Sequence, residues 1–311
     1  MWGAAPRRGT GLATALAAVG RTLIILGLVI LGFVAYQLLG TNVAESRSQA
    51  QLLDGFAVVV PAASLEVSTP SGEPAPPPPP DGQAVARILI PKIGVDKAVI
   101  EGTDLRDLRK GPGHYKGTPL PGQPGNVAIA GHRTTYGAPF FRLDELAVGD
   151  PVLVSTVQGA FRYEVREVRV VKPSEVQVVA PASDNRLTLT TCNPRFSAAE
   201  RLVVVADLKG PAAAPSPQVV RTLTPEAPEA SPPSAPPSAP PAPAPEVVGA
   251  SGDPAAQQPA ALWGLATLAI GLAAWALGRR WRRLPAWTLA ALPLLASLWQ
   301  FYTYLARALP S

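Results

Sequence analysis

Residues 186–194 of this 311-residue chain read RLTLTTCNP, and Cys192 is the only cysteine. Leucines at positions 187 and 189 alternate with threonines at 188 and 190, which is the pattern of a β-strand. Pro194 ends the pairing because proline lacks an N–H and restricts the residue before it. A second strand is predicted over residues 200–206, with Arg201 near its start. The stretch therefore places a thiol at the end of one strand and an arginine at the beginning of the next.

A single cysteine is most often a small buried hydrophobe, so Cys192 alone does not indicate chemistry. However, it lies at a strand end next to a loop, where functional groups concentrate. A histidine, His132, follows a second predicted strand over residues 126–130. A cysteine and a histidine that are distant in sequence are the components of nucleophilic thiol chemistry. His114, in a turn rich in glycine and proline, is the alternative histidine.

The composition narrows the class of protein. One cysteine excludes an intrachain disulfide, and the 37 prolines are concentrated in two tracts. The net charge of +5 comes partly from arginines that flank three apolar segments, which indicates membrane topology rather than nucleic-acid binding. The sequence contains no zinc-ligand spacing, phosphate-binding loop or dinucleotide fingerprint. We therefore expect no metal, no cofactor and no nucleic-acid partner.

The apolar and proline-rich segments predict the organisation of the chain. Residues 22–40 are long enough to cross a bilayer and are interpreted as an uncleaved anchor rather than a signal peptide. The cluster of four arginines within 279–283 places that turn in the cytoplasm, and the folded domain outside the membrane. The full prediction is a cytoplasmic tail (1–21), a transmembrane anchor (22–40), a Pro-rich stalk with a helical beginning (41–84), the folded domain (85–210), a disordered Pro/Ala-rich linker (211–258), a transmembrane helix (259–278), a cytoplasmic basic turn (279–283) and a second transmembrane helix (284–307).

The folded domain is predicted to be mainly β. A helical turn is expected over residues 104–110, and the remaining signals are those of short strands. Many short strands in about 125 residues favour a closed or nearly closed β-barrel. The predicted strands are 86–90, 95–100, 126–130, 151–156, 161–171, 186–192 and 200–206.

Three separated motifs resemble the sortases of Gram-positive-type bacteria. Residues 188–192, TLTTC, are similar to the family signature Thr-Leu-x-Thr-Cys, and Arg201 follows nine residues later. Residues 131–140, GHRTTYGAPF, are similar to the histidine segment of the family, and residues 111–122 to the turn that precedes it. The resemblance is closest to class E and covers residues 85–210.

This resemblance implies an eight-stranded β-barrel with short helices, and a cysteine transpeptidase. The expected substrates are surface proteins that carry a C-terminal sorting signal, and the expected acceptor is an amine of a cell-wall precursor or of peptidoglycan. Cys192 is expected to be the nucleophile, His132 the general acid/base, acting first as imidazolium, and Arg201 the stabiliser of the oxyanion or substrate. The further candidates for substrate binding are Thr190, Thr191, Tyr115 and Tyr136.

Several alternatives remain open at this point. Thr190 and Thr191 are also ordinary strand residues, and Arg195 competes with Arg201 for the catalytic role. The C-terminal pair of spans resembles pilus-building members, but the Asp-Pro-aromatic lid of those members is absent: the segment before the barrel offers only Pro80-Asp81-Gly82. A cysteine hydrolase that uses water as acceptor, and a non-catalytic barrel that binds wall peptides, are the other functional classes.

Overall fold

The computed structural model describes residues 10–59, 77–215, 254–280 and 283–308. These residues form two compact units. One unit contains the described residues up to Gly40 and from Pro254 onward, and it is helical. The other begins at Thr41, and it contains the barrel.

The barrel is closed by eight strands, as the resemblance implied. Around the barrel the order is β1-β2-β3-β4-β7-β8-β6-β5, and β5 pairs with β1. Neighbouring strands are antiparallel except for the parallel pairs β2–β3 and β4–β7. The bounds are β1 Ala84–Ile90, β2 Val95–Glu101, β3 Gly113–His114, β4 Asn126–Ala130, β5 Pro151–Thr156, β6 Gly159–Val171, β7 Arg186–Asn193 and β8 Glu200–Lys209.

Alternation along β7 and β8 separates the interior of the barrel from its outer wall. Leu187 and Leu189 on β7 are fully buried among the core residues, as is Val204 on β8. The intervening residues face the opposite side because side chains alternate along a strand. On β8 this outer set includes Val203 and Val205, which form a second small cluster with Val171. The register that fills the core therefore turns the odd-numbered residues of β8 and the even-numbered residues of β7 outward.

Short helical turns connect several strands. The sequence predicted one of them over residues 104–110, and the structure has an α-helix at Leu105–Leu108, here α3. The 3₁₀ turns are Pro91–Ile93, Leu143–Glu145 and Val176–Val179 in this unit, and Pro254–Ala256 in the helical unit.

A longer helix, α2, spans Thr41–Val59 and belongs to the barrel unit. Thr41, Glu45 and Gln49 are spaced by four residues and thus share one helical face, and all three are buried. Gln49 donates to the carbonyl oxygens of Ala98 (3.1 Å) and Lys110 (2.8 Å), and accepts from the backbone N–H of Ala98 (2.8 Å). Helix α2 lies in the first part of the stalk predicted over 41–84, and these buried polar contacts attach its first residues to the barrel.

The helical unit contains α1 (Thr10–Ala35), a π-helical turn (Tyr36–Gly40), α4 (Gln257–Arg280) and α5 (Arg283–Ala308). Among the residues that the structure describes, three helical stretches are long and apolar enough to cross a membrane: Ala15–Phe56, Gln257–Gly278 and Thr288–Ala308. Within this unit Tyr302 donates to the carbonyl oxygen of Val29 (2.7 Å).

Parts of the predicted linkers fall outside the described residues. These parts are 60–76 of the predicted stalk, 216–253 of the predicted linker and 281–282 of the basic turn. The helices on either side of that turn extend to Arg280 and from Arg283.

Candidate active site

The parallel pairing of β4 with β7 brings the predicted histidine and cysteine together. The last paired residues are Ala130 and Thr190. Beyond them, the Gly131 N–H donates to the Thr190 carbonyl (3.1 Å), and the Thr191 hydroxyl donates to the Gly131 carbonyl (2.7 Å). Extended by two residues, this register sets His132 beside Cys192. Neighbouring strands are about 4.8 Å apart, so the two side chains start from adjacent backbone positions.

On the other side of β7, the antiparallel strand β8 supplies the arginine. Cys192 and Arg201 are directly opposite each other in the register. Opposite residues present their side chains on the same face, with Cβ atoms about 5 Å apart. Cys192 and Arg201 thus face the outer wall on neighbouring strands, and His132 follows by two residues the strand that pairs with β7 on its other side. Cys192 is a free cysteine, and the residue is partly exposed.

Arg201 is partly held by its own loop. Its Nη1 donates to the carbonyl oxygens of Ala198 and Glu200, both at 3.0 Å. Hydrogen bonds within the described residues engage neither Nη2 nor Nε of this guanidinium. A planar group fixed through one nitrogen retains donors for a second acceptor, which suits recognition of a carbonyl or an oxyanion.

His132 is in an environment that disfavours its charged form. Its Nε2 is buried and has no hydrogen-bond partner among the described residues. Burial, and then the positive charge of Arg109, lower the pKa of His132 from 6.5 to about 4. At neutral pH the ring is therefore neutral here, whereas the mechanism inferred from the sequence began with the imidazolium. Its ring packs against that of Tyr136, with 5.2 Å between the centroids.

Arg133 links the histidine segment to the end of the cysteine strand. It is only 4% exposed, and its Nη1 donates to the Cys192 carbonyl (3.1 Å) and to Oδ1 of Asn193 (3.0 Å). Its Nη2 forms an ion pair with Asp144 (3.1 Å). Charge-assisted bonds to three acceptors fix the backbone that carries the thiol relative to the backbone that carries the imidazole.

Comparison with known proteins identifies the family of this chain. The sortase domain model matches residues 88–209. Sortase D of Bacillus subtilis is 32% identical over 55% of this chain and 86% of its own length. The chain belongs to the sortase family. Members of this family are cysteine transpeptidases.

Two further proteins are similar to this chain. Sortase SrtE1 of Streptomyces coelicolor is 34% identical over 60% of this chain, but the match spans only 55% of that protein. The class E-like resemblance fits this similarity. A solved structure of sortase E from Streptomyces avermitilis is 36% identical over 48% of this chain and 98% of its own, with a TM-score of 0.39.

The four further candidates for substrate binding, Thr190, Thr191, Tyr115 and Tyr136, all make contacts near the site. The Tyr115 phenol is within hydrogen-bond distance of the Thr190 hydroxyl (3.2 Å), and burial raises the pKa of this phenol. Thr191 holds the residue before His132, as described above. Tyr136 is only 7% exposed, and its ring packs against that of His132. The sequence analysis did not predict Arg109 and Arg133 as site residues, because no sequence pattern links them to the distant residues that they contact.

The two rival residues have other partners. His114 is 1% exposed, with Nδ1 2.8 Å from a carboxylate oxygen of Glu101 and Nε2 2.9 Å from the Pro119 carbonyl. These contacts occupy both ring nitrogens, which indicates a structural role. Arg195 forms an ion pair with Asp144 (2.9 Å) and stacks over the Phe141 ring at 4.4 Å. These contacts attach the loop that follows Cys192 to the segment that contains Phe141 and Asp144.

The low pKa of His132 predicts a pH-dependent stability of this sortase barrel. Between pH 4 and pH 6.5 the unfolded chain binds a proton on this ring that the folded chain does not. The free energy of unfolding should therefore rise with pH across this window and lose the contribution again as the pH falls toward 4. We expect His132→Asn to flatten this part of the profile in urea unfolding followed by circular dichroism. Equal slopes for the two proteins would contradict the assignment.

Proposed function

We propose that this chain is a membrane-anchored sortase. It cuts a C-terminal sorting signal of the LPXTG type, with LAXTG as a variant, and transfers the shortened protein to a cell-wall amine. The position of Cys192 opposite Arg201, with His132 just beyond the strand that pairs with β7, carries this proposal. Membership of the sortase family and the partly exposed cysteine support it.

The first half of the reaction forms a thioester. Neutral His132 accepts the proton of the Cys192 thiol as the sulfur attacks the carbonyl carbon of the threonine in the signal. The resulting imidazolium then donates that proton to the departing glycine nitrogen as the carbon–nitrogen bond breaks. The low pKa means that the ring is neutral before the reaction and that its protonated form is a strong acid toward the departing amine.

The second half reverses these roles. The incoming amine attacks the thioester carbon, His132 accepts a proton from the amine nitrogen, and the Cys192 sulfur leaves and recovers a proton. Arg201 stabilises the negative oxygen that develops in both halves through donors not bound to its own loop. Water in place of the amine gives hydrolysis of the same thioester, so analysis of products with and without an amine separates the two outcomes.

The assignment of the nucleophile and the base is testable with a pair of histidine variants. Cys192→Ala should abolish cleavage of a sorting peptide and the mass adduct on the protein, while the barrel stays folded. His132→Asn should lower kcat by about 100-fold or more, the usual contribution of general acid–base catalysis. His114→Asn is the matched control, and it should reduce stability while the folded fraction keeps its turnover. Full activity of Cys192→Ala, or a larger kcat loss in His114→Asn than in His132→Asn, would disprove the assignment.

Arg201 is testable by a change that keeps its charge. A lysine cannot reproduce a planar fork of donors, so Arg201→Lys should lose most of its turnover and Arg201→Ala more, about 100- to 1000-fold. If Arg201 acts in the transition state, kcat and kcat/KM fall together while KM changes little. Arg195→Ala, which loses the contacts of a loop, should be mild. Near-normal kcat in Arg201→Lys would show that this arginine has another role.

We further propose that the enzyme is a multi-pass membrane protein with a cytoplasmic N-terminus and the barrel outside. The proposal rests on the arginines of residues 279–283. In a Cys192→Ala background, which has no cysteine, Trp281→Cys should resist a membrane-impermeant maleimide added to intact cells. Ser231→Cys, in the predicted external linker, should react. The reverse labelling pattern would invert the topology.

A further inference from the structure

The turn that follows His132 has an unusual backbone. Tyr136, Gly137 and Ala138 have φ values of 50°, 73° and 41°, all in the left-handed region. Glycine adopts this region freely, but tyrosine and alanine do so at a cost. Such a conformation persists only where the surroundings hold it, and it commonly occurs at functional sites.

The first turns of α2 supply what holds this turn. The Thr41 hydroxyl oxygen accepts from the N–H of Tyr136 (3.2 Å), and the side-chain oxygen of Asn42 accepts from the N–H of Gly137 (2.9 Å). The carboxylate of Glu45 is fully buried, forms an ion pair with Lys97 (2.6 Å) and lies so close to Gly137 that a Cβ there would collide with it.

The same turn determines the position of the His132 ring. Tyr136, whose N–H is bound to α2, places its ring 5.2 Å from that of His132. The guanidinium of Arg109 lies over the Tyr136 ring, with its central carbon 5.7 Å from the ring centroid. Because Nε2 of His132 has no hydrogen-bond partner among the described residues, ring packing rather than a hydrogen bond at that nitrogen orients it.

We propose that Asn42, with Thr41 and Glu45, forms a positioning site for the catalytic histidine, acting through the Tyr136–Gly137 turn. This inference rests on the catalytic role of His132 under the proposed function. Thr41 follows directly on the predicted membrane anchor, residues 22–40. The residues that support the imidazole are therefore the first ones outside that anchor, and they lie some ninety positions before the histidine they support.

The chain offers controls on the same helix. Gln49 attaches α2 to the barrel at Ala98 and Lys110, away from the turn. Arg47 lies on the exposed side of the helix. Asn42→Asp keeps an oxygen that can accept from Gly137, whereas Asn42→Ala does not.

Two properties of the full chain in detergent micelles are measured. The first is kcat and KM with a sorting peptide, and the second, which is independent of activity, is the titration of each histidine followed by NMR with ¹³C-labelled histidine. The chain has two histidines, so His114 serves as an internal reference.

Asn42→Ala should lower kcat by roughly 10- to 100-fold with little change in KM, because a displacement of about 1 Å has effects of this size. In this variant the pKa of His132 should rise from about 4 toward 6.5 as the ring becomes hydrated, while the His114 signal stays unchanged. Asn42→Asp should restore most of both properties, and Arg47→Ala should behave as the parent. Gln49→Ala should reduce thermal stability and leave both readouts near the parent values. If Asn42→Ala does not fold, Thr41→Val, which removes one acceptor and keeps the shape, takes its place.

The two readouts separate failure of this inference from failure of the proposed function. A shifted His132 titration with unchanged turnover supports the positioning site and removes the catalytic role of His132. Reduced turnover with an unshifted titration overturns the inference, because the loss then comes from elsewhere. Equal effects of Gln49→Ala and Asn42→Ala on both readouts also overturn it, since general attachment of α2 would explain them.

Discussion

The arrangement of the site depends on the parallel pairing of β4 with β7. The two strands are about sixty residues apart in sequence, yet the hydrogen bond from Gly131 to the Thr190 carbonyl continues their ladder beyond the last paired residues. Because parallel strands run in the same direction, their carboxyl ends meet at one place, and each of these two ends carries a reactive side chain. The antiparallel strand β8 then adds Arg201 opposite Cys192. Backbone pairing thus sets Arg201 opposite Cys192 and brings the strand that precedes His132 beside the cysteine strand, while the packing of Tyr136 orients the imidazole.

Local patterns in the sequence were sufficient for the longer strands, and they singled out Cys192, His132 and Arg201 as candidates. Leu187 and Leu189 alternate with threonines because β7 buries one face, and this alternation is visible without knowledge of any partner strand. The long strands β6 and β8 were found for the same reason. The two-residue strand β3 was not found, because Gly113 and His114 are too few to show a period. The pairing of β4 with β7 also has no local signal, so the sequence named His132 and Cys192 as candidates without showing that their strands are neighbours.

The residues that contact and hold the site could not be predicted from local sequence patterns, for a physical reason. Arg133, Arg109 and Asn42 act through contacts with residues that are distant along the chain, and hydrophilic residues of this kind are usually solvated. The helix α2 is polar on the face that it buries, so a search for an apolar face does not detect its attachment. The neutral state of His132 also follows from burial in three dimensions. The sequence predicted which residue types form the candidate site, but the electrostatic environment of these residues could be known only from the folded structure.

The alternation of β7 and β8 has a consequence for how such an enzyme can diverge. A slip by one residue in either strand would turn Leu189 or Val204 outward and would turn the thiol or the guanidinium into the core. Packing and chemistry therefore select the same register, and a barrel that is well folded also carries a correctly aligned site. The loops that do not contact the imidazole take no part in this alignment. Lineages can consequently alter the length and sequence of those loops while the reacting groups remain in place.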